Sequence, residues 1–323
     1  MPVTVADNRI AVSQPPPEQQ PFSGTLLVGA ILAVLLGSEL WKIIAAGLGL
    51  DGGVRTAAII TGFLLCAAAV SHQIRSLKPI AGFVLTIAAA QFSYQIVVPA
   101  VEGAIFTIPA ARLEWPARFF LLRCAQIIPS FILLTTFVGS GITRRDLFLC
   151  RSNLDEPVQW PAAINPKRTV SWRVFAVIAS VAFAASLSIY LSVTLNLRFG
   201  GFQLALAALP WAILTSTVNA ANEEFQFRSV ILARLRPIVR PDHAAILAGA
   251  FFGLNHYFGA PSGWLGVVMA GIAGWIWAKS MLETRGFTCA FTIHFVQDFV
   301  IFLFRFLSLC SLYSLDYDEE GVT

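Results

Sequence analysis

Apolar runs long enough to cross a bilayer alternate with short polar segments along most of the chain. Because a membrane-spanning helix needs about 20 apolar residues, these runs predict an all-α polytopic membrane bundle of about eight to nine transmembrane helices. Glu39 and Lys42 interrupt the first run, which predicts either a break in that helix or a partly interfacial segment. The predicted spans are Gly24–Leu50, Thr56–Val70, Pro79–Val98, Arg118–Gly139, Trp172–Leu195, Phe202–Leu235, His243–Phe258, Trp264–Met281 and Gly286–Leu309.

The polar segments divide the chain into five predicted regions. The first is proline-rich and too polar to bury a core, so we expect it to be disordered and cytoplasmic. The regions are the tail 1–21, N-terminal transmembrane helices 22–140, a cytoplasmic connector 141–171, a helical core 172–310 with the candidate chemistry, and an acidic tail 311–323.

Composition excludes a soluble protein. Hydrophobic residues make up 57% of the 323 residues, charged residues 12%, and the mean hydropathy is +0.73, whereas about a quarter of the residues in soluble domains are charged. The net charge of +4 comes from short loops rather than from a basic tail, so we expect no nucleic-acid partner. The five cysteines are scattered without metal-binding spacing, which indicates packing residues.

Loop charges predict the orientation in the bilayer. Most of the Lys and Arg residues between spans lie on one side when nine spans are counted, in the loops after the second, fourth, sixth and eighth spans, and cytoplasmic loops carry such an excess. The N-terminus is therefore predicted to be cytoplasmic. We expect a bacterial cytoplasmic (inner) membrane, with the endoplasmic reticulum as the alternative, and nothing in the sequence indicates an oligomeric state.

Three charges lie close together inside the sixth apolar run, in the stretch from Asn222 to Arg228, at Glu223, Glu224 and Arg228. Each charge near a bilayer centre costs about 2.5–3.5 kcal/mol, so such residues are usually paired or functional. Glu224 and Arg228 lie four residues apart on one helix face, which predicts an ion pair between them. Glu223 is then left without an arginine partner on this helix. A polar stripe at steps of three or four residues accompanies them, made of Thr215, Asn219, Asn222, Glu223 and Gln226.

Two further polar patches contain His256 in the seventh run and His294 with Asp298 in the ninth. His294 and Asp298 stand four apart, so both project from one side of a helix. If the sixth and seventh runs form an antiparallel hairpin, Glu223 and His256 lie at one height, roughly 25 Å from the turn at 1.5 Å per residue. We therefore expect these groups to converge in one buried, hydrated pocket.

Such a set of side chains can hydrolyse an acyl bond. A glutamate with a histidine can hold and deprotonate a water, and a second histidine with its partner can stabilise the resulting oxyanion. No serine or cysteine has the spacing of a nucleophile in a triad, which disfavours covalent catalysis. Two histidines and a carboxylate also make a plausible zinc shell, although HExxH is absent. We expect no cofactor, with zinc held by Glu223, His256 and His294 as the alternative.

Three short motifs occur in order on separate runs: EExxxR at Glu223, Glu224 and Arg228, FxxxH at Phe252 and His256, and HxxxD at His294 and Asp298. In this order, over roughly residues 200–310, the chain resembles the CPBP family, the CAAX-protease and bacteriocin-processing (Abi-like) intramembrane endopeptidases. The resemblance implies that Glu223 and His256 activate water and that His294 and Asp298 form the oxyanion site. It implies structural support from Glu224, Arg228 and Phe252.

One position departs from the eukaryotic CAAX-processing members of that family, which have Asn where this chain has Asp298. An ionised Asp cannot donate a hydrogen bond to an oxyanion. Asp298 is therefore protonated, or orients His294, or helps to hold a metal.

The leading hypothesis is an intramembrane endopeptidase that cleaves a membrane-associated protein or peptide. The alternatives are a non-catalytic membrane scaffold or immunity protein of the same fold, and a proton-coupled transporter that uses the same acids and histidines as a relay. The presence of all four candidate catalytic groups argues against the scaffold, and the lack of an internal repeat argues against the transporter.

Overall fold

The computed structural model describes residues 23–50, 52–109, 112–113, 115–160, 169–195 and 202–320, and in the last range the side chains of 206–308. The predicted tail 1–21 lies outside the described residues. The helices are α1 Gly24–Gly37, α2 Leu40–Gly47, α3 Val54–Gln73, α4 Lys78–Phe92, α5 Val98–Phe106, α6 Trp115–Ala125, α7 Ile127–Thr135, α8 Trp172–Thr194, α9 Phe202–Glu224, α10 Val230–Leu235, α11 Pro241–Leu254, α12 Gly263–Thr284 and α13 Thr288–Glu320.

The predicted all-α membrane bundle is confirmed. By length and apolar composition, six helices of the described chain qualify as membrane spans, or seven if the bent pair α1–α2 counts as one. This number is lower than the eight to nine expected. With 14 residues α11 is shorter than a bilayer requires, and α9, which carries the polar stripe, is not among the qualifying helices. The six are Val54–Gln73, Lys78–Phe106, Trp115–Thr135, Trp172–Thr194, Gly263–Thr284 and Thr288–Ser308.

The predicted break in the first apolar run is confirmed where its charges occur. α1 and α2 are bent by 56° relative to each other. Nζ of Lys42 lies 2.9 Å from Oε1 of Glu39, and Nε2 of Gln95 donates to the same oxygen at 3.4 Å. At the break, Glu39 and Lys42 therefore pair with each other, and Gln95 binds Glu39 as well, so these charges have partners inside an otherwise apolar segment.

Two helices are continued by π-helical turns. Ser93–Val97 joins α4 to α5, and Phe225–Ser229 joins α9 to α10. π-turns interrupt α-helices mainly at functional sites, and the second of these two contains Arg228. At the other end of the core, α13 runs to Glu320, past the predicted end of the span at Leu309.

The main hydrophobic core lies where α4, α10, α11 and α12 meet. The outer faces carry large apolar side chains as well: Ile59 is 71% exposed, Ile189 68% and Val193 77%. Exposed apolar surface of this extent is rare on soluble monomers. It is the surface that the hydrocarbon of a bilayer covers.

Candidate active site

The continuous helix of α9 and α10 carries a buried ion pair at the four-residue spacing predicted for it. Nη2 of Arg228 lies 3.2 Å from Oε1 of Glu224, and both side chains are completely buried. Nη1 of Arg228 also lies 3.5 Å from the backbone oxygen of Glu223. Removing either charged partner would leave the other uncompensated in an apolar interior. The pair therefore fixes the turn that presents Glu223.

Aromatic rings from two other helices cover the Arg228 guanidinium. Its Cζ lies 3.8 Å from the ring centroid of Phe252 on α11 and 4.5 Å from that of Trp277 on α12. A cation over an aromatic face is attracted to it, and more strongly where water is excluded. Arg228 thus binds α11 and α12 to the charged turn.

Glu224 also binds His294, a contact that the spacing of the sequence does not reveal. Nδ1 of His294 lies 2.7 Å from Oε1 of Glu224. Because an ionised carboxylate only accepts hydrogen bonds, Nδ1 is the nitrogen that donates. Trp277 stacks on the imidazole, with ring centroids 4.0 Å apart and an interplanar angle of 11°. Glu224 and Trp277 together fix the orientation of His294.

The other nitrogen of this imidazole faces two carboxylates. Nε2 of His294 lies 3.5 Å from Oε2 of Glu223 and 3.5 Å from Oδ1 of Asp298. Nδ2 of Asn219 donates to Oε1 of Glu223 at 3.1 Å and to Oδ2 of Asp298 at 2.9 Å. One amide therefore holds a carboxylate of α9 and a carboxylate of α13 beside the same histidine.

The three acidic side chains of this group differ in their exposed fraction. The side chain of Glu223 is 15% exposed, that of Asp298 8% and that of Glu224 0%. Glu223 forms no ion pair with the Arg228 side chain within the described part of the chain. It is thus the acid with the greatest access for water, held by Asn219 and not neutralised by the arginine.

His256 lies in the turn after α11 rather than in a helix, because α11 ends at Leu254 and not at Phe258 as predicted. Its Nδ1 lies 2.8 Å from the backbone oxygen of Phe252, and the two rings pack with centroids 4.0 Å apart. A carbonyl only accepts, so Nδ1 carries the hydrogen and Nε2 remains available. No hydrogen bond joins His256 to Glu223 among the described side chains, although the two groups interact electrostatically.

Gln226, the last residue of the predicted polar stripe, lies in the π-turn after α9 and binds neighbouring elements. Nε2 of Gln226 donates to Oγ of Ser130 and to the backbone oxygen of Gln126, each at 2.7 Å, and the Tyr94 hydroxyl donates to Oε1 of Gln226. Tyr94 lies in the first π-turn and Ser130 in α7. Sequence reasoning missed these partners and the bridging role of Asn219. The periodic stripe was the available signal, but it does not show which helices it faces.

Within the described residues, no group of three or more His, Cys, Asp and Glu side chains is arranged to hold a metal ion. The alternative zinc set of Glu223, His256 and His294 is not such a group in this structure. Glu223 and His294 are close to each other, and the ring of Phe252 packs against both His256 and His294, with centroids 4.0 and 6.1 Å away.

Residues 205–300 match the family described as Type II CAAX prenyl endopeptidase Rce1-like. No curated protein and no solved structure matches the chain. The matched segment begins in α9, ends in α13 and contains all three motifs, and it confirms the resemblance predicted from them. The match indicates an intramembrane protease, which implies a peptide substrate, and the apolar helices indicate an integral membrane protein.

Proposed function

We propose, from this family match and the geometry of the site, that the protein is an intramembrane endopeptidase in which Glu223 is the general base. Its substrate is a membrane-associated protein or peptide. The observation that carries the proposal is the position of Glu223, which is accessible, bound by Asn219 and 3.5 Å from the oriented imidazole of His294. A general base must be fixed within hydrogen-bond reach of the water that it deprotonates.

Water activation uses Glu223 together with His256. The carboxylate removes a proton from the water, and Nε2 of His256 accepts a hydrogen bond from the same water. His256 is suited to this task because its Nδ1–H is bound to the Phe252 carbonyl, which leaves the Nε2 lone pair available. The proton taken by Glu223 is later delivered to the leaving amine.

His294 stabilises the oxyanion. Nδ1 donates to Glu224, so a second proton on Nε2 makes the ring a cationic donor that points into the site. Fixed donors of this kind are effective because they need no reorganisation as charge develops, and the surrounding apolar medium strengthens them. Arg228 balances the charge of Glu224.

Asp298 takes the role of a positioning residue. Oδ2 accepts from Asn219 and Oδ1 faces Nε2 of His294, so both oxygens face donors of the protein. Among the roles left open for this aspartate, orientation of His294 agrees best with these contacts. Asp298 then fixes where the Nε2 proton lies and does not itself donate to the oxyanion.

Replacement of Glu223 tests the proposal. Glu223→Gln should abolish proteolysis, because an amide cannot remove a proton from water, while the Asn219 contact and the fold are retained. The measurement compares the termini of membrane proteins in cells that carry wild-type protein, Glu223→Gln or the control Glu102→Gln, an acid of α5 outside the site. Full processing by the Glu223→Gln protein would refute the peptidase and favour the scaffold.

The proposed steps use no metal ion, and chelation tests this. After exhaustive dialysis against a strong chelator, purified protein should contain no stoichiometric zinc and should retain its activity. Loss of activity on chelation and recovery on adding Zn²⁺ would instead favour the alternative zinc shell of two histidines and one carboxylate.

The same proposal includes a location in the bacterial cytoplasmic membrane with the N-terminus on the cytoplasmic side. The loop arginines and lysines support it, since cytoplasmic loops carry an excess of these residues. The substrate then approaches from the cytoplasm or from the lipid of the inner membrane.

A further inference from the structure

A groove lies between α3 and α4, outside the segment that matches the family. Its volume is about 390 Å³, within the range of about 300–1,000 Å³ for ligand sites. Leu65 is 46% exposed and Leu85 37%, so the apolar part of the groove opens toward the bilayer. The lining residues are Leu65, Ala68, Ala69, His72, Gln73, Ala81, Gly82 and Leu85.

Basic residues lie at the end of this groove where α3 and α4 are joined. His72 lies in the last turn of α3, Arg75 follows that helix, and Lys78 is the first residue of α4. No acidic residue occurs between Asp51 and Glu102 in the sequence, so no carboxylate of these two helices offsets the positive charges. The loop after α3 is among those predicted to be cytoplasmic. On that side of a membrane, anionic lipids attract basic segments.

Arg234 of α10 adds a guanidinium at the edge of the groove. A Cβ added to Gly82 would lie 2.9 Å from Nη1 of Arg234, so the glycine leaves the space beside which the guanidinium lies. Nε donates to Oγ1 of Thr86 at 3.3 Å and Nη2 donates to the backbone oxygen of Thr136, both neutral acceptors. In the part of the chain that the structure describes, Arg234 forms no ion pair and its Nη1 donates no hydrogen bond. Cations near the hydrocarbon are usually paired, so we expect an anion at Nη1.

Helix geometry brings Lys78 to the same end of the groove. Lys78 precedes Gly82 by four residues, so the two lie on one face of α4, about 6 Å apart along its axis. Gly82 lies against the guanidinium of Arg234. Leu65 and Leu85 each lie seven residues from the basic end, about 10 Å deeper along their helices. Cations at one end and apolar surface behind them match a phospholipid, whose phosphate lies above its acyl chains.

We propose that this α3–α4 groove binds an anionic phospholipid of the cytoplasmic leaflet, with the phosphate at Arg234 and Lys78 and an acyl chain along Leu65 and Leu85. The inference does not depend on the proposed peptidase function. Guanidinium and ammonium groups bind phosphate through charge-assisted hydrogen bonds, and basic pockets between transmembrane helices on the cytoplasmic side bind anionic head groups. The lipid connects α4 to α10, which continues the helix that carries Glu223.

Lipid titrations followed by native mass spectrometry test the proposal. Purified protein in detergent is titrated with phosphatidylglycerol and with phosphatidylcholine of the same acyl chains, and the Kd of the first bound lipid is measured. Phosphatidylglycerol should bind roughly tenfold more tightly, because choline places a cation beside the basic groups. Arg234→Gln should weaken its binding by roughly tenfold to a hundredfold, the range for a hydrogen bond to a charged group, and Arg234→Lys by less. Lys78→Gln should weaken it roughly fivefold, the contribution of one cation near the membrane surface.

Two controls isolate the groove. Arg240→Gln removes an exposed arginine on the same predicted side but outside the groove, and should leave the Kd unchanged. Ala69→Phe fills the lining at an exposed position and should weaken lipid binding without altering any basic residue. Thermal unfolding without added lipid verifies that each variant is folded. Lys78→Gln provides the test if Arg234→Gln, which also loses the bond to Thr86, does not fold.

Three outcomes would overturn the inference. Equal affinity for the two lipids would show that the groove selects no anion. An unchanged preference for phosphatidylglycerol in both Arg234→Gln and Lys78→Gln would show that these groups do not hold the phosphate. Glycerol phosphate, the head group without acyl chains, should not displace the bound lipid. Displacement at equal concentration, with unchanged lipid binding by Ala69→Phe, would make the site one for a free phosphate.

Discussion

At the scale of single residues, two adjacent glutamates differ because their surroundings differ. Glu224 is completely buried and bound to Arg228 and His294, whereas Glu223 is bound to Asn219 and is partly accessible. Environments that separate two carboxyl groups in this way commonly assign them different catalytic roles. In the proposed mechanism, Glu224 orients His294 and balances charge, and Glu223 activates the water.

Glu224→Gln should therefore destabilise the protein far more than Glu223→Gln does. The change leaves Arg228 charged and buried, at a cost of about 3–5 kcal/mol. Thermal unfolding in detergent measures the effect, with Glu223→Gln as the matched control at the neighbouring position. Equal unfolding temperatures for the two variants would contradict a charge-balancing role for Glu224.

At the scale of elements, the close approach of α11 and α12 sets the distance between Phe252 and Trp277. Gly253 packs directly on the backbone of α12, and an added Cβ would meet the backbone oxygen of Val267 at 2.5 Å and Cα of Gly271 at 2.9 Å. Small residues permit such contact between helices in membranes. The two rings that cover Arg228 lie 5.6 Å apart across this interface.

Gly253→Ala should separate the two helices and lower both stability and activity. The clash is with backbone atoms that cannot rotate away, so a cost of about 1–3 kcal/mol is expected. Gly271→Ala is the control on the facing helix, since its Cβ would meet the nearest atoms at 3.7 and 3.9 Å, which is ordinary contact. Unfolding temperature and kcat/KM should fall for Gly253→Ala only. Similar values for both variants would show that the interface adjusts.

At the scale of the whole molecule, the described part of the connector ties together the helix ends on the predicted cytoplasmic side. Oε2 of Glu283, at the end of α12, accepts from Nε1 of Trp172 at 2.8 Å and from the backbone N–H of Gln159 at 3.0 Å. Oγ of Ser152 accepts from the backbone N–H of Cys289, in the first turn of α13, at 2.9 Å. The connector therefore fixes the start of the helix that carries His294.

Glu283→Ala should loosen the connector without removing any side chain of the site. Hydrogen bonds to a charged acceptor contribute about 1.5–3 kcal/mol each to stability. We therefore expect trypsin to cleave the connector of the variant roughly tenfold faster or more, in membrane vesicles whose cytoplasmic face points outward. The control is Asp155→Ala, which removes an exposed ion pair with Arg173, a kind of contact that contributes about 0–1 kcal/mol. Equal cleavage rates in the two variants would argue that the hydrogen bonds of Glu283 do not hold the connector in place.

Prediction from the sequence succeeded where the signal is local. The break near Glu39 and the pairing of Glu224 with Arg228 depend on a charge in an apolar run and on a four-residue spacing. It succeeded less well for α11, whose end at Leu254 places His256 in a turn. The apolar pattern continues past that residue and gives no sign of where the helix ends.

The sequence by itself determined an apolar helical membrane protein and the order of the motifs at Glu223, His256 and His294, because hydropathy and helical periodicity act within one segment. Only the tertiary structure decided that Glu224 binds His294, that Asn219 bridges two carboxylates and that Arg123 lies beside them. These contacts join helices distant in the chain. Which faces of those helices meet is set by the packing of the whole bundle, and no spacing along one segment specifies it.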